Sequence, residues 1–105
     1  MNEREFQELA DVIFRRIEDR IDELELDIDI DSGGGILNCV CENGSSVILS
    51  RQVANFEIWV AAKSGGFHLR YRESDWFCDT TNESLAVLIN RVFSEQLAQP
   101  ITLLS

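Results

Sequence analysis

The period of the chain changes within Leu24-Glu25-Leu26-Asp27-Ile28-Asp29-Ile30-Asp31. Upstream, Phe6, Leu9, Ala10, Ile13, Ile17, Ile21 and Leu24 recur at helical spacing, the stripe of an amphipathic helix with one buried face. From Glu25 to Asp31 acidic and apolar residues alternate strictly. Period two predicts a strand with Leu26, Ile28 and Ile30 inward and Glu25, Asp27, Asp29 and Asp31 outward. A helix from about Glu3 to Glu23 therefore feeds directly into a strand. Asn2 is placed to cap that helix, with Glu5 three residues on to answer it.

Downstream the pattern stays short and alternating. Ser32-Gly33-Gly34-Gly35 is a turn signal, and Ile36 to Glu42 reads as a second strand with Leu37, Cys39 and Cys41 inward. Asn43-Gly44 marks a hairpin into a third strand, Ser46 to Arg51. Glu57 to Ala61 is a fourth, with Ile58 and Val60 on one face and Trp59 on the other. Lys63-Ser64-Gly65-Gly66 turns the chain into a fifth, in which Phe67, Leu69 and Tyr71 face inward, and Trp76-Phe77-Cys78 is a short sixth. Thr80 with Glu83 has the spacing of a second capping box, and Leu85, Leu88, Ile89, Val92 and Phe93 carry a helical stripe ending near Gln99-Pro100. The apolar tail Ile101-Thr102-Leu103-Leu104 is expected to lie against the helices. Short connections imply a meander. The expected fold is α+β, a two-layer sandwich of two helices on one face of a mainly antiparallel sheet of five or six strands, in a single domain spanning 1–105.

Composition bounds the function. The 105 residues carry 19 Asp and Glu against 9 Lys and Arg, a net charge of -10. Nucleic acid and anionic membrane surfaces are repelled by such a chain, which favours cations and basic protein surfaces. No apolar run approaches the roughly 18 residues of a membrane span. No basic flank followed by an apolar stretch opens the sequence, so no secretory signal is expected. Cys39, Cys41 and Cys78 make neither a disulfide framework nor a zinc site and read as small core side chains in a reducing cytoplasm.

The acid is concentrated. Residues 1–31 hold twelve carboxylates against four Arg, and the remaining 74 hold seven against five basic residues. Glu18 with Asp22 and Asp19 with Glu23 are i,i+4 neighbours on one helix. Along the strand, same-face carboxylates recur at about 6.5–7 Å, where like charges in water repel by roughly 0.6 kcal/mol per pair before screening. Arg15 is expected to relieve part of this through Asp11 and Asp19, but nothing basic interrupts Asp22 to Asp31. A solvated, aggregation-resistant edge accounts for one or two such charges. A whole row suits hard cations such as iron, magnesium, manganese or calcium. A calcium loop starting at Asp27 is excluded, because its sixth position is Ser32 and its twelfth Asn38. The expected site is an open ridge with weak, multi-site, salt-sensitive cation binding.

Several fragments together resemble one family. They are Met1-Asn2-Glu3 with Glu5-Phe6 and Leu9-Ala10-Asp11, the acidic run Glu18 to Asp31, Glu42-Asn43-Gly44-Ser45, Arg51-Gln52, Ile58-Trp59-Val60-Ala61, Gly65-Gly66-Phe67-His68 and Asp75-Trp76-Phe77-Cys78-Asp79. In this order and frame they resemble the frataxin family, in its bacterial CyaY type. The family often has Pro shortly after Arg-Gln, where this chain has Val53-Ala54-Asn55. The resemblance implies a cytoplasmic, non-enzymatic iron-binding regulator or iron chaperone of iron–sulfur cluster assembly. It implies weakly bound Fe2+ or Fe3+ on the ridge residues Glu18, Asp19, Asp22, Glu23, Glu25, Asp27, Asp29 and Asp31, with Asp11 and Glu3 outlying. It further implies docking on the cysteine desulfurase, with the scaffold protein a further partner; the chain is expected to be a monomer. Asp22, Glu23, Asp27, Trp59 and His68 are the expected partner contacts, Trp59 because an open-face tryptophan suits an interface. Two alternatives stand beside this: a weak ferroxidase, and an acidic interaction module with no metal role.

Overall fold

The computed structural model describes every residue from Met1 to Ser105. Helix α1 (Glu3–Glu23) is followed by strands β1 (Ile28–Gly33), β2 (Ile36–Cys41), β3 (Ser46–Gln52), β4 (Glu57–Ala62), β5 (Gly65–Arg72), β6 (Asp75–Cys78) and β7 (Glu83–Ser84), then by helix α2 (Leu85–Leu97). Every strand pairs antiparallel with its sequence neighbour, so the spatial order is β1 to β7. The helices pack on one face, giving the expected two-layer α+β sandwich with seven strands rather than five or six. The addition is β7, two residues paired with Phe77 and Cys78, too short to leave an alternation in the sequence.

Asn2 caps α1, its Oδ1 accepting from the Glu5 N–H at 2.8 Å. The buried side of the helix is Phe6, Ala10, Phe14, Ile17 and Ile21. Phe14 was not counted in the expected stripe, and Leu24, which was, is exposed. At 3.6 residues per turn Phe14 falls on the arc between Ala10 and Ile17, whereas Leu24 is the residue at which the helix stops. The start of α2 also departs from expectation. Ser84, not Thr80, is its N-cap, accepting from the Val87 N–H at 3.3 Å. Asn82 at φ +59° keeps the preceding residues out of the helix, and Glu83 serves instead as a strand residue whose two oxygens take a fork from Arg91, both at 2.8 Å.

From the sheet, Leu37, Cys39, Val47, Leu49, Ile58, Val60, Leu69, Trp76 and Cys78 meet these helix faces in one core. Gly44, at φ +86°, closes the β2–β3 turn by donating to the Cys41 carbonyl at 2.9 Å, a left-handed position glycine takes without a Cβ clash. Val53–Asn55 is a short 3-10 turn. The apolar tail bridges the two helices as expected. Leu103 and Leu104 are buried; their N–H groups donate to Asn90 Oδ1 of α2 at 2.8 and 2.9 Å, while Arg20 of α1 donates to the Leu103 carbonyl at 2.9 Å.

Candidate functional site

The acidic border begins where α1 ends. The Glu25 N–H donates to the Asp22 carbonyl at 3.0 Å and the Leu26 N–H to the Ile21 carbonyl at 3.1 Å. This pair of bonds is a Schellman cap, whose left-handed position usually belongs to glycine; here Glu25 takes it at φ +52°. The expected strand start at Glu25 is thereby corrected: β1 begins at Ile28, because the cap uses Glu25 and Leu26 to reverse the chain. Alternation nevertheless holds from Leu26 on, with Leu26, Ile28 and Ile30 half-buried and Asp27, Asp29 and Asp31 exposed.

The ridge residues divide by direction. Asp22, Glu25 and Asp29 line one shallow groove over Ile21, Leu26, Ile28 and Ile30, so a helix residue, a cap residue and a strand residue meet there. Asp27 and Asp31 continue the border. Asp19 and Glu23 lie on the outer helix side among Arg15, Arg16 and Arg20, and Glu23 pairs with Arg20 at 3.0 Å. Glu18 is half-buried and faces the other flank of α1, toward the glycine turn. Glu3 sits exposed in the first helical turn, apart from the rest. No Lys or Arg forms an ion pair with Glu18, Asp19, Asp22, Glu25, Asp27, Asp29 or Asp31. Nor do three acidic, His or Cys side chains converge into a ready-made chelate. These are hard oxygen donors spread along an edge, able to hold hydrated cations weakly and at several positions.

Asp11 does not pair with Arg15 as expected. It pairs with Arg51 at 2.6 Å. Arg51 extends from β3 on the helix-facing side, donates to Gln7 Oε1 at 2.7 Å and lies 4.6 Å over the Phe14 ring. A guanidinium so largely buried needs a carboxylate, and Asp11 is the one within reach, which withdraws it from the ridge. Burial pushes the Cys39 thiol up to about 12, with Cys41 and Glu18 adding to the effect, so it stays protonated as a packing group.

Register places the aromatic residues on the same sheet face as the strand acids. Asp31 pairs with Asn38, Asn38 with Ile48, Ile48 with Ala61, and Ser50 with Trp59, which pairs with His68. The face opposite the helices thus runs from Asp29 and Asp31 on β1 to Trp59 and His68 on β4 and β5. Trp59 and His68 stack at 4.2 Å with ring planes 6° apart. Glu57, which was not among the expected site residues, fixes this pair. It is almost fully buried, accepts the Trp59 indole N–H at 2.8 Å and the Arg70 Nε–H at 3.0 Å, and stands 3.9 Å from His68 Nδ1. The Trp59 hydrogen bond, with Arg70 and His68 adding to it against the desolvation of burial, holds its carboxyl below the usual range. A Glu two residues before a Trp on one strand face, opposite an Arg, was the only available sign of it.

The fold and border can now be set beside known proteins. The family model of the frataxin-like domain matches residues 1–99. The chain belongs to the frataxin-like family. The iron-sulfur cluster assembly protein CyaY of Pseudomonas paraeruginosa is 46% identical over 98 residues, covering 91% of each chain. The protein of that name from Azotobacter vinelandii is 40% identical over 103 residues, covering 96% of this chain and 94% of its own. Among solved structures, the frataxin of Psychromonas ingrahamii superposes with a TM-score of 0.91 at 28% identity and full coverage of both chains. A trimeric frataxin of Saccharomyces cerevisiae, complexed with ferrous iron, gives 0.72 at 17% identity over 86% of each chain, a likeness of fold. No helix of the chain is long and apolar enough to cross a membrane.

Proposed function

We propose that this protein is an iron-binding regulator or chaperone of iron–sulfur cluster assembly that takes Fe2+ or Fe3+ weakly on its acidic border and docks through that border on a cysteine desulfurase. One observation carries the reading: Asp22, Glu25, Asp27, Asp29 and Asp31 follow one another along one border without a basic ion-pair partner, with Glu18 and Asp19 unpaired on its two flanks. The name shared by its relatives and the ferrous ion in the yeast frataxin support the pathway and the metal. In this reading Asp22, Glu25 and Asp29 form the preferred cation position, since three elements bring them to one groove. Asp19, Glu23, Asp27 and Asp31 extend it, and Glu18 flanks it.

The border also steers. Unscreened negative charge attracts a basic partner surface over about one Debye length, roughly 8 Å at physiological salt. Trp59 and His68, on the same sheet face, then supply a flat apolar contact already oriented by Glu57. The exposure of the carboxylates favours carrying and docking over iron oxidation, which calls for paired, partly buried ligands.

Anaerobic ferrous titration of the 15N-labelled protein tests the metal site: paramagnetic broadening is expected first at Asp22, Glu25 and Asp29. Broadening centred elsewhere, or no broadening beyond that of a diamagnetic magnesium control, refutes it. Asp22→Lys with Glu23→Lys is expected to abolish desulfurase binding while leaving the melting transition cooperative. Undiminished affinity removes the docking model.

A further inference from the structure

We propose that Asn43 is a site of covalent modification, deamidation through attack by the Gly44 backbone nitrogen, which the native fold holds back and local opening of the β2–β3 turn releases. No other asparagine of the chain precedes a glycine. Attack on a side-chain amide by the next backbone nitrogen is least hindered where the next residue has no Cβ. Both residues are exposed, so water reaches the pair.

The Asn43 amide is a structural tie. Its Nδ2 donates to the Gln96 carbonyl at 2.8 Å, and its Oδ1 accepts from the Ser45 N–H at 3.0 Å and the Ser45 hydroxyl at 2.7 Å. The Gln96 carbonyl belongs to the last turn of α2, whose carbonyls have no intrahelical partner, and no basic residue stands in that turn to take it. The buried Gln96 side chain continues the tie. It donates to Ser45 Oγ at 3.0 Å and to the Ser46 carbonyl at 3.1 Å, and accepts from the Lys63 N–H at 2.9 Å. One asparagine thus joins the β2–β3 turn to the end of α2 and, through Gln96, to the turn before β5.

The same bonds hold the reaction back. The attacking nitrogen must lose its proton and reach Asn43 Cγ, but the Gly44 N–H is engaged by the Cys41 carbonyl at 2.9 Å while the amide is fixed at both ends. Once the turn opens, the Gly44 nitrogen bonds to Cγ, the Cγ–Nδ2 bond breaks and ammonia leaves with the proton, closing a succinimide ring. Water then opens the ring. Breaking the bond from Cγ to the Gly44 nitrogen leaves aspartate, and breaking the original peptide bond leaves isoaspartate. Neither product restores the tie. Aspartate turns an oxygen instead of a donor toward the Gln96 carbonyl and adds negative charge at the negative end of a helix. Isoaspartate also inserts a main-chain carbon between Cys41 and Ser45, whose N–H and carbonyl pair at 2.7 Å. β2 is the sole strand neighbour of β1, and its Cys41 and Val40 are the register partners of Ile28 and Asp29, so the change reaches the strand that carries the acidic border.

Incubation of the full-length protein at physiological temperature and mildly alkaline pH, followed by peptide mapping and enzymatic detection of isoaspartate, tests this. In guanidinium chloride Asn43 should be modified ahead of every other asparagine, and at least about tenfold faster than in the native protein, because the native rate scales with the fraction of molecules locally open. Ser45→Ala and Gln96→Ala, both in native buffer, should raise the native rate by about twofold to tenfold per hydrogen bond removed. In Asn43→Asp, hydrogen exchange at the Lys63 and Cys41 N–H groups should quicken by about fivefold to a hundredfold, with Leu69 unchanged. No modification of Asn43 in denaturant overturns the site. Equal rates with and without denaturant, or a native rate that neither variant alters, overturn the gating. Unaltered exchange in Asn43→Asp overturns the tie, and should that variant fail to fold, the rates in wild type still decide the proposal.

Discussion

Replacing Glu25 by glycine should stabilise the protein while taking one carboxylate out of the border. Glu25 sits at φ +52° in the Schellman cap of α1. A side chain in the left-handed well costs about 1–2 kcal/mol. Glycine removes that cost but returns about 0.4–1 kcal/mol to the unfolded chain as freedom, leaving a net gain near ~1 kcal/mol. Charge adds a second contribution. Glu25 shares a groove with Asp22 and Asp29, and like charges at about 7 Å in water repel by roughly 0.6 kcal/mol per pair. Glu25→Gln removes only the charge, so the two variants separate the effects. At low salt both should exceed wild type in urea unfolding followed by tryptophan fluorescence. At about 1 M salt, where the Debye length is about 3 Å, the glutamine gain should vanish and the glycine gain should persist. In thermal unfolding ~1 kcal/mol corresponds to about 4–8 °C for a domain of up to about 100 residues. If Glu25→Gly is no more stable than Glu25→Gln at high salt, the conformational argument is wrong. A persistent glycine gain would mean that the chain keeps a strained residue where a carboxylate serves the border.

Three further outcomes follow from the geometry. Glu57→Gln should lower stability by about 1–2 kcal/mol at neutral pH, the worth of one charge-assisted hydrogen bond; because the folded pKa of Glu57 is depressed, this deficit should be constant above the unfolded value of about 4.3 and shrink as pH falls through the folded one, and a deficit that grows on acidification contradicts the assignment. Leu103→Ala should cost about 2–5 kcal/mol by chemical denaturation, since the side chain is fully buried between helices bridged by its backbone bonds; a loss under ~1 kcal/mol would mean the tail is not part of the core. Ferrous or manganous ion at ten times its Kd should stabilise wild type by about 1.4 kcal/mol, and Asp22→Asn with Asp29→Asn should remove most of that rise in melting temperature, an unaltered rise placing the cation elsewhere.

Local periodicity made most of the fold legible. The stripe of α1, the alternation of β1 to β5 and the polar turns each report on their own neighbours in sequence, and short connections leave a meander as the simple solution. What was not legible depends on partners distant in sequence. Phe14 was missed although it lies on the buried arc, β7 was too short to show a period, and the start of α2 was misplaced because Thr80 and Glu83 mimic a cap that Ser84 makes. The acidic border was visible as composition, but its division into a groove at Asp22, Glu25 and Asp29 and an outer row at Asp19 and Glu23 follows from where the cap turns the chain. Sequence proximity points Asp11 to Arg15, whereas the fold brings it Arg51 from β3.

By itself the sequence determined the layer architecture, the family resemblance and the excess of acid before Ser32, because hydrophobic period and charge density are properties of contiguous residues. Only the tertiary structure decided which carboxylates meet, that Glu57 anchors Trp59, and that the arginines of β5 share a face with the acids of β1. Those facts depend on strand register and on the direction of one helix cap, and a charge interacts with whatever is near it in space.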